Sequence, residues 1–144
     1  MAKNLSLDHQ LCFAVYAAAH AFNRFYKPLL GPLGLTYPQY LVMIVLWERD
    51  GLTVKALGDR LMLDSGTLTP LLKRLEAAGF VTRARSERDE RQVLVRLTDA
   101  GKGLQATAEG FPEMILDASD CAATDLDSLR RQLAALRENL DKAA

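Results

Sequence analysis

Between Thr53 and Thr98, two helical patterns and two strand patterns follow in an order that leaves few ways to fold. In SGTLTPLLKRLEAAG, Leu68, Leu71, Leu72 and Leu75 fall at i, i+3, i+4 and i+7, one apolar stripe down a helix. Gly79 stands where a left-handed residue closes such a helix, and Pro70 predicts a slightly irregular first turn. A shorter helix, TVKALGDRL, begins at Thr53 and joins the first through a tight connection around Leu63 and Asp64. Downstream, FVTRAR and QVLVRLT are β-type, separated by SERDER, which predicts a hairpin with one solvated face. A short helix, a tight turn, a second helix with a polar N-terminus and a basic hairpin make a winged helix-turn-helix.

Helices flank this unit. Residues 7–30 are Ala-rich with apolar positions at helical spacing, ended by Pro28 and Gly31-Pro32. Thr36 and Gln39 have capping-box spacing, Pro38 sits early enough to cost nothing, and YLVMIVLWE reads as a buried helix closed near Asp50-Gly51. Thr98 caps a further helix interrupted around Gly110 and Pro112. A last amphipathic helix carries Leu126, Leu129, Leu133, Leu136 and Leu140. The order α-α-α-α-β-β-α-α gives a mainly α fold with a small β-hairpin wing (α+β). The 144 residues fit one domain, 1–144, in which 36–98 form the winged helix and 1–34 and 105–144 a helical dimerisation region. The first and last helices present more apolar surface than one small domain covers, so a homodimer through the termini is expected.

Hydrophobic residues make up 49% and charged residues 25%, an ordinary core-forming composition. No apolar run approaches the roughly 20 residues that cross a bilayer. MAKNLSLDHQ lacks the apolar stretch of a leader, so a cytoplasmic, non-membrane protein is expected. A formal net charge of zero conceals a basic middle, with Arg83, Arg85, Arg88, Arg91 and Arg96, and an acidic tail. Ser65, Thr67 and Thr69 open the second helix, where side chains reach base edges, and Lys73 and Arg74 follow as phosphate partners. Arg88 and Arg91 at the hairpin tip suit a minor groove. Singly these are caps and a solvated edge; together, in this order, they point to double-stranded DNA.

Cys12 lies at the edge of an aromatic-rich stretch holding Tyr16, Tyr26, Tyr37, Tyr40 and Trp47. Tyr16, at i+4, shares its helix face. Tyr26 lies about 21 Å further along a straight helix, beyond reach within one chain but not across an antiparallel dimer. Phenolic donors stabilise a thiolate; a small core hydrophobe among core aromatics is the other reading of Cys12. His9 and Cys12 are too few ligands for zinc, so neither metal nor cofactor is expected. No catalytic arrangement for turnover is visible, so the chain reads as a non-enzyme; a thiol peroxidase acting through Cys12 fits poorly with a winged helix.

LDHQLCFAVYAA, YKPLLGPLGLTYPQYLVMIVLWE, LTVKALGDRLMLDSGTLTPLLKRLEAAG and RSERDERQVLVRLT resemble the MarR family, and within it the OhrR group of organic-hydroperoxide-sensing repressors. The resemblance runs to about residue 105. It implies a dimeric repressor that releases operator DNA when an organic hydroperoxide, the inducer, oxidises Cys12 to a sulfenic acid. Tyr26 and Tyr37 match the tyrosines that bond the reactive sulfur across the dimer, and Tyr16 a further one of that pocket. Asp89 and Arg91 match the wing pair. One branch of the group then forms a disulfide, for which Cys121 is the candidate here. An ungapped reading puts Asp117 nearer the usual position, so a shifted register, a displaced Cys121 and a small cellular thiol are the three routes. The alternative is a MarR-type regulator released by a phenolic or lipophilic ligand bound non-covalently.

Overall fold

Side-chain caps start four of the helices. In the computed structural model, which describes residues 5–144, Thr36 opens α2 (Tyr37–Glu48) with a complete capping box. Its hydroxyl accepts from the Gln39 N–H at 3.3 Å, and the Gln39 side chain accepts from the Thr36 N–H at 2.9 Å. Thr53 caps α3 (Val54–Leu61), Asp64 caps α4 (Ser65–Ala77) and Thr98 caps α5 (Asp99–Gly103). Of the N-terminal stretch read for a leader, residues 1–4 lie outside the described residues.

The chain divides into two compact units, Met1–Gln105 and Ala106–Ala144. In the first, α1 (Leu11–Leu30) follows a single 3-10 turn, Leu7–His9, from which extended Gln10 separates it. The helix therefore begins four residues later than the Ala-rich pattern implied. It also continues through Pro28 to Leu30, because a proline in the last turn forfeits a single hydrogen bond while its fixed φ remains helical. A 3-10 turn, Gly31–Leu33, leads towards α2.

The core lies where α2, α3, α4 and the sheet meet. Val42, Met43, Leu46, Leu57, Leu68, Leu72, Leu75 and Val95 are fully buried. Each such large aliphatic side chain contributes about 1.5–3 kcal/mol of transfer free energy. The predicted leucine stripe is the buried face of α4, which is continuous across Pro70. Gly79 closes it at φ +85°: its N–H bonds the Glu76 carbonyl and the Phe80 N–H bonds that of Leu75.

The hairpin consists of β2 (Val81–Arg85) and β3 (Val93–Leu97), paired from Val81↔Leu97 to Arg85↔Val93. A third strand, β1 (Leu52–Thr53), pairs antiparallel with β3 on its other side, making the order β1-β3-β2. Two residues carry no periodic signal, and the Asp50 carboxylate fixes the strand's approach by accepting from the Gly51 and Leu97 N–H groups at 2.8 and 2.9 Å. Between α3 and α4, Met62 adopts a left-handed conformation, and an added Cβ on Gly58 meets the Leu63 carbonyl oxygen at 2.6 Å.

Past Leu104 the helix re-forms as α6 (Gln105–Ala108). The second unit then has α7 (Phe111–Ser119), with Pro112 in its first turn, and α8 (Ala123–Ala143). Asp120, left-handed at φ +53°, Cys121 and Ala122 link them. The breaks at Gly110 and Pro112 match the sequence reading, while the one at Leu104 had no signal. Among the described residues, no single helix is long and apolar enough to cross a membrane.

Candidate functional site

Three tyrosines gather where the end of α1 meets the start of α2. The Tyr26 ring lies 4.9 Å from Tyr37 and 5.4 Å from Tyr40, centroid to centroid. The Tyr26 hydroxyl donates to that of Tyr40. Burial pushes the Tyr26 phenol far above its ordinary range, reinforced by the neighbouring Tyr40 and Tyr37 phenols; burial raises Tyr37 and Tyr40 as well. All three therefore keep their protons at neutral pH and remain hydrogen-bond donors. A cavity of about 420 Å³ opens beside Tyr26 and Tyr37, walled by Leu30 and Leu35 and edged by Asn23 and Lys27.

Cys12 and Tyr16 stand at the other end of α1, both exposed. The Tyr16 ring stacks on His20 at 4.4 Å. An exposed thiol is not the small core side chain that one reading allowed. Cys12 precedes Tyr26 by fourteen residues of continuous helix, about 21 Å. Along the same helix Leu11, Phe13, Val15 and Phe22 are exposed too, so α1 carries apolar surface that its own unit leaves uncovered. In the second unit Cys121 is exposed, its Sγ 3.2 Å from the Ser119 carbonyl, and α8 exposes Leu129, Leu133 and Leu140. Among the described residues, no three metal-binding side chains converge.

On α4, Ser65, Thr67, Lys73 and Arg74 are exposed and Thr69 is half-buried, all off the leucine face. The Asp64 carboxylate accepts from both the N–H and the hydroxyl of Thr67, the former at 2.7 Å, and these bonds hold its pKa below the usual carboxylate range. The Thr67 hydroxyl is thus part of the cap. On the wing, the Arg88 N–H bonds the Ser86 hydroxyl, and Asp89 holds Arg91 by an ion pair of 3.2 Å. The Arg91 side chain is 91% exposed. Thr69 and Arg91 line one groove of about 370 Å³, together with Lys55 and Arg83.

Two participants, Tyr40 and Glu76, were not singled out from the sequence. Tyr40 was legible as a neighbour of Tyr37 at i+3 on one helix face. Glu76 gave no sign. It accepts from the Arg83 guanidinium at 3.0 and 3.3 Å and from the Arg83 N–H at 3.1 Å, bracing strand β2 against the end of α4. Arg83 lowers the Glu76 pKa through these bonds.

Residues 24–107 match the family described as transcriptional regulator SarA/Rot. The chain is 55% identical to the HTH-type transcriptional regulator TtmR of Methylorubrum extorquens, over 96% of this chain and 71% of that protein. It is 49% identical to the organic hydroperoxide resistance transcriptional regulator of Bacillus subtilis, over 95% of this chain and 93% of that one. The structure of reduced AbfR bound to DNA, a Staphylococcus epidermidis protein, superposes with a TM-score of 0.81 at 36% identity, covering 97% of this chain and 96% of that chain. Disulfide-formed AbfR superposes at 0.63 with 38% identity, covering 93% and 94%.

Proposed function

Since the chain belongs to the SarA/Rot-type, MarR-like transcriptional regulators, close to the organic hydroperoxide regulators, we propose that it is a homodimeric, DNA-binding repressor that senses organic hydroperoxides through Cys12. One observation carries the sensing half of this reading. Tyr26 and Tyr37, kept protonated by burial, cluster about 21 Å along α1 from an exposed Cys12 on an uncovered apolar face. A partner with its α1 antiparallel covers that face and brings the partner's Cys12 to the tyrosines.

The chemistry follows. Phenolic donors favour the thiolate, and meeting it redirects the Tyr26 hydroxyl from Tyr40. The sulfur attacks the distal peroxide oxygen, the O–O bond breaks, and the alkoxide takes up a proton and leaves as an alcohol. Cys12 is now a sulfenic acid and the peroxide has been reduced by two electrons. Attack by the Cys121 thiolate on that sulfur forms a disulfide and expels hydroxide, which leaves as water. The existence of disulfide-formed AbfR, similar over most of the chain, supports this second step. The apolar faces of α1 and α8 support the dimer.

On DNA, α4 enters the major groove with Ser65, Thr67 and Thr69 foremost, while Lys73 and Arg74 meet phosphates. Arg91, aimed by Asp89, reaches into the adjacent minor groove with Arg88 beside it. The reduced AbfR–DNA structure supports this docking. Residues 36–98 form the DNA-binding part and the helical regions 1–34 and 105–144 the dimerisation part. The protein works in the cytoplasm as a regulator and not as a turnover catalyst.

The deciding comparison is operator binding by the parent protein and Cys12→Ser, measured by fluorescence anisotropy before and after one equivalent of an alkyl hydroperoxide. Both reduced proteins should bind alike and only the parent should release. Release by Cys12→Ser would remove the sensor role and point to a non-covalent ligand. Intact mass under non-reducing conditions then distinguishes a Cys12–Cys121 disulfide from an adduct confined to Cys12.

A further inference from the structure

The cavity beside Tyr26 and Tyr37 is walled mainly by apolar and aromatic side chains, with Asn23 and Thr36 as neutral polar members. Its lining includes a single charged side chain, Lys27, which is exposed. No acidic residue occurs anywhere in α1. The one acid of α2, Glu48, stands at the far end of that helix and pairs with Arg60 at 3.0 Å. Among the described residues, no carboxylate lies within ion-pair distance of the Lys27 ammonium. The cavity volume, about 420 Å³, falls within the range of small-molecule sites. An ammonium without a counter-charge, at the rim of an apolar pocket next to hydrogen-bonding phenols, is complementary to an amphiphile with an anionic end.

We propose that Lys27 is a specificity-determining residue that selects hydroperoxides bearing a carboxylate. This rests on the Cys12 reading above. The peroxide group meets the partner's Cys12 beside Tyr26 and Tyr37, the apolar body occupies the cavity along Leu30 and Leu35, and the carboxylate pairs with Lys27. Oxygen passes to sulfur as before, and the product alcohol departs with its carboxylate unchanged. A lysine in the last turn also complements the α1 dipole. That effect supports the helix but does not discriminate between two peroxides of different charge.

The probes are cumene hydroperoxide carrying a para carboxylate and the methyl ester of the same compound. Rates of Cys12 oxidation in the full-length dimer are read by quenched-flow mass spectrometry, each normalised to the rate with free cysteine. The parent protein should favour the acid by about fivefold, the scale of an exposed ion pair, and added salt should erode that preference. Lys27→Gln should bring the ratio to one and Lys27→Arg should keep it. Lys102→Gln, an equal charge change elsewhere on the first unit, should also keep it. A ratio of one in the parent, or a preference that survives Lys27→Gln, overturns the proposal. Failure of both peroxides to oxidise Cys12 refutes the sensor reading itself, and this inference with it.

Discussion

Replacing Gly58 with alanine puts a methyl group where the helix-turn-helix has no room. An ideal Cβ there lies 2.6 Å from the Leu63 carbonyl oxygen and 3.8 Å from Leu68 Cδ2. An ordinary contact starts near 3.4 Å, so the oxygen must retreat by about 0.8 Å. It is not free to do so. The Leu63 N–H bonds the Gly58 carbonyl at 2.9 Å, and the next residue is the Asp64 cap of α4. Overpacking costs about 1–3 kcal/mol, and the gain in helix propensity from glycine to alanine returns about 1. Because backbone is the obstacle, the upper end applies, leaving a net loss of about 2 kcal/mol. For a chain of this size that lowers Tm by roughly 6–8 °C at fixed protein concentration. Circular dichroism melts measure it directly. Gly103→Ala is the control: nothing lies within 4 Å of its Cβ, so a gain of up to about 1 kcal/mol is expected. A Gly58→Ala protein as stable as its parent would refute the packing argument, since an uncrowded helical site should respond as Gly103 does.

Thr36→Ala removes one half of the α2 capping box and should lower stability by about 1 kcal/mol, seen as a shifted urea midpoint with unchanged slope. Glu76→Ala leaves the Arg83 N–H without its carboxylate, and hydrogen exchange at that amide should accelerate; unchanged protection would mean that the brace is not formed in solution. Arg91→Ala should weaken operator binding roughly tenfold and reduce the slope of log K against log salt by about one, whereas a change in sequence preference alone would contradict a minor-groove electrostatic role. The Asp64 and Glu76 pKa values are depressed, so their contribution to stability is complete above about pH 5 and is lost as pH falls through their lowered values. The Tyr26, Tyr37 and Tyr40 pKa values are raised, so theirs is complete below about pH 10 and is lost as pH rises beyond it. Denaturant midpoints across both limbs should fall at each end.

Thr36, Thr53 and Thr98 were readable as helix starts because a cap depends on residues three apart, and the leucine stripe of α4 because periodicity is local too. What escaped depends on distance or on competition. Strand β1 exists because Leu52 and Thr53 find Val95 and Leu94, partners more than forty residues away. The brace between Glu76 and Arg83 crosses the turn at Gly79 and has no pattern. Pro28 and Pro70 carry real penalties, yet both helices continue through them, since the loss of one hydrogen bond is small beside the packing of a whole element. In the candidate site, Tyr26 and Tyr37 were readable as a pair only through the family resemblance, since they sit on different helices. The third ring, Tyr40, becomes part of the cluster only when α2 folds back on α1. The exposure of Cys12 is a property of tertiary structure that no spacing encodes.

Trp47, the chain's single tryptophan, donates its Nε1–H to the Gly101 carbonyl at 3.0 Å and stands edge-on to Tyr40 at 6.3 Å. Tyr40 in turn accepts from the Tyr26 hydroxyl, the bond that the proposed mechanism redirects to a thiolate. On that proposal the chain has a built-in fluorophore one ring away from the step that begins the response. Its emission, free of background from any other indole, gives an unlabelled optical record of that step, and stopped-flow mixing with peroxide can time it against the departure of DNA.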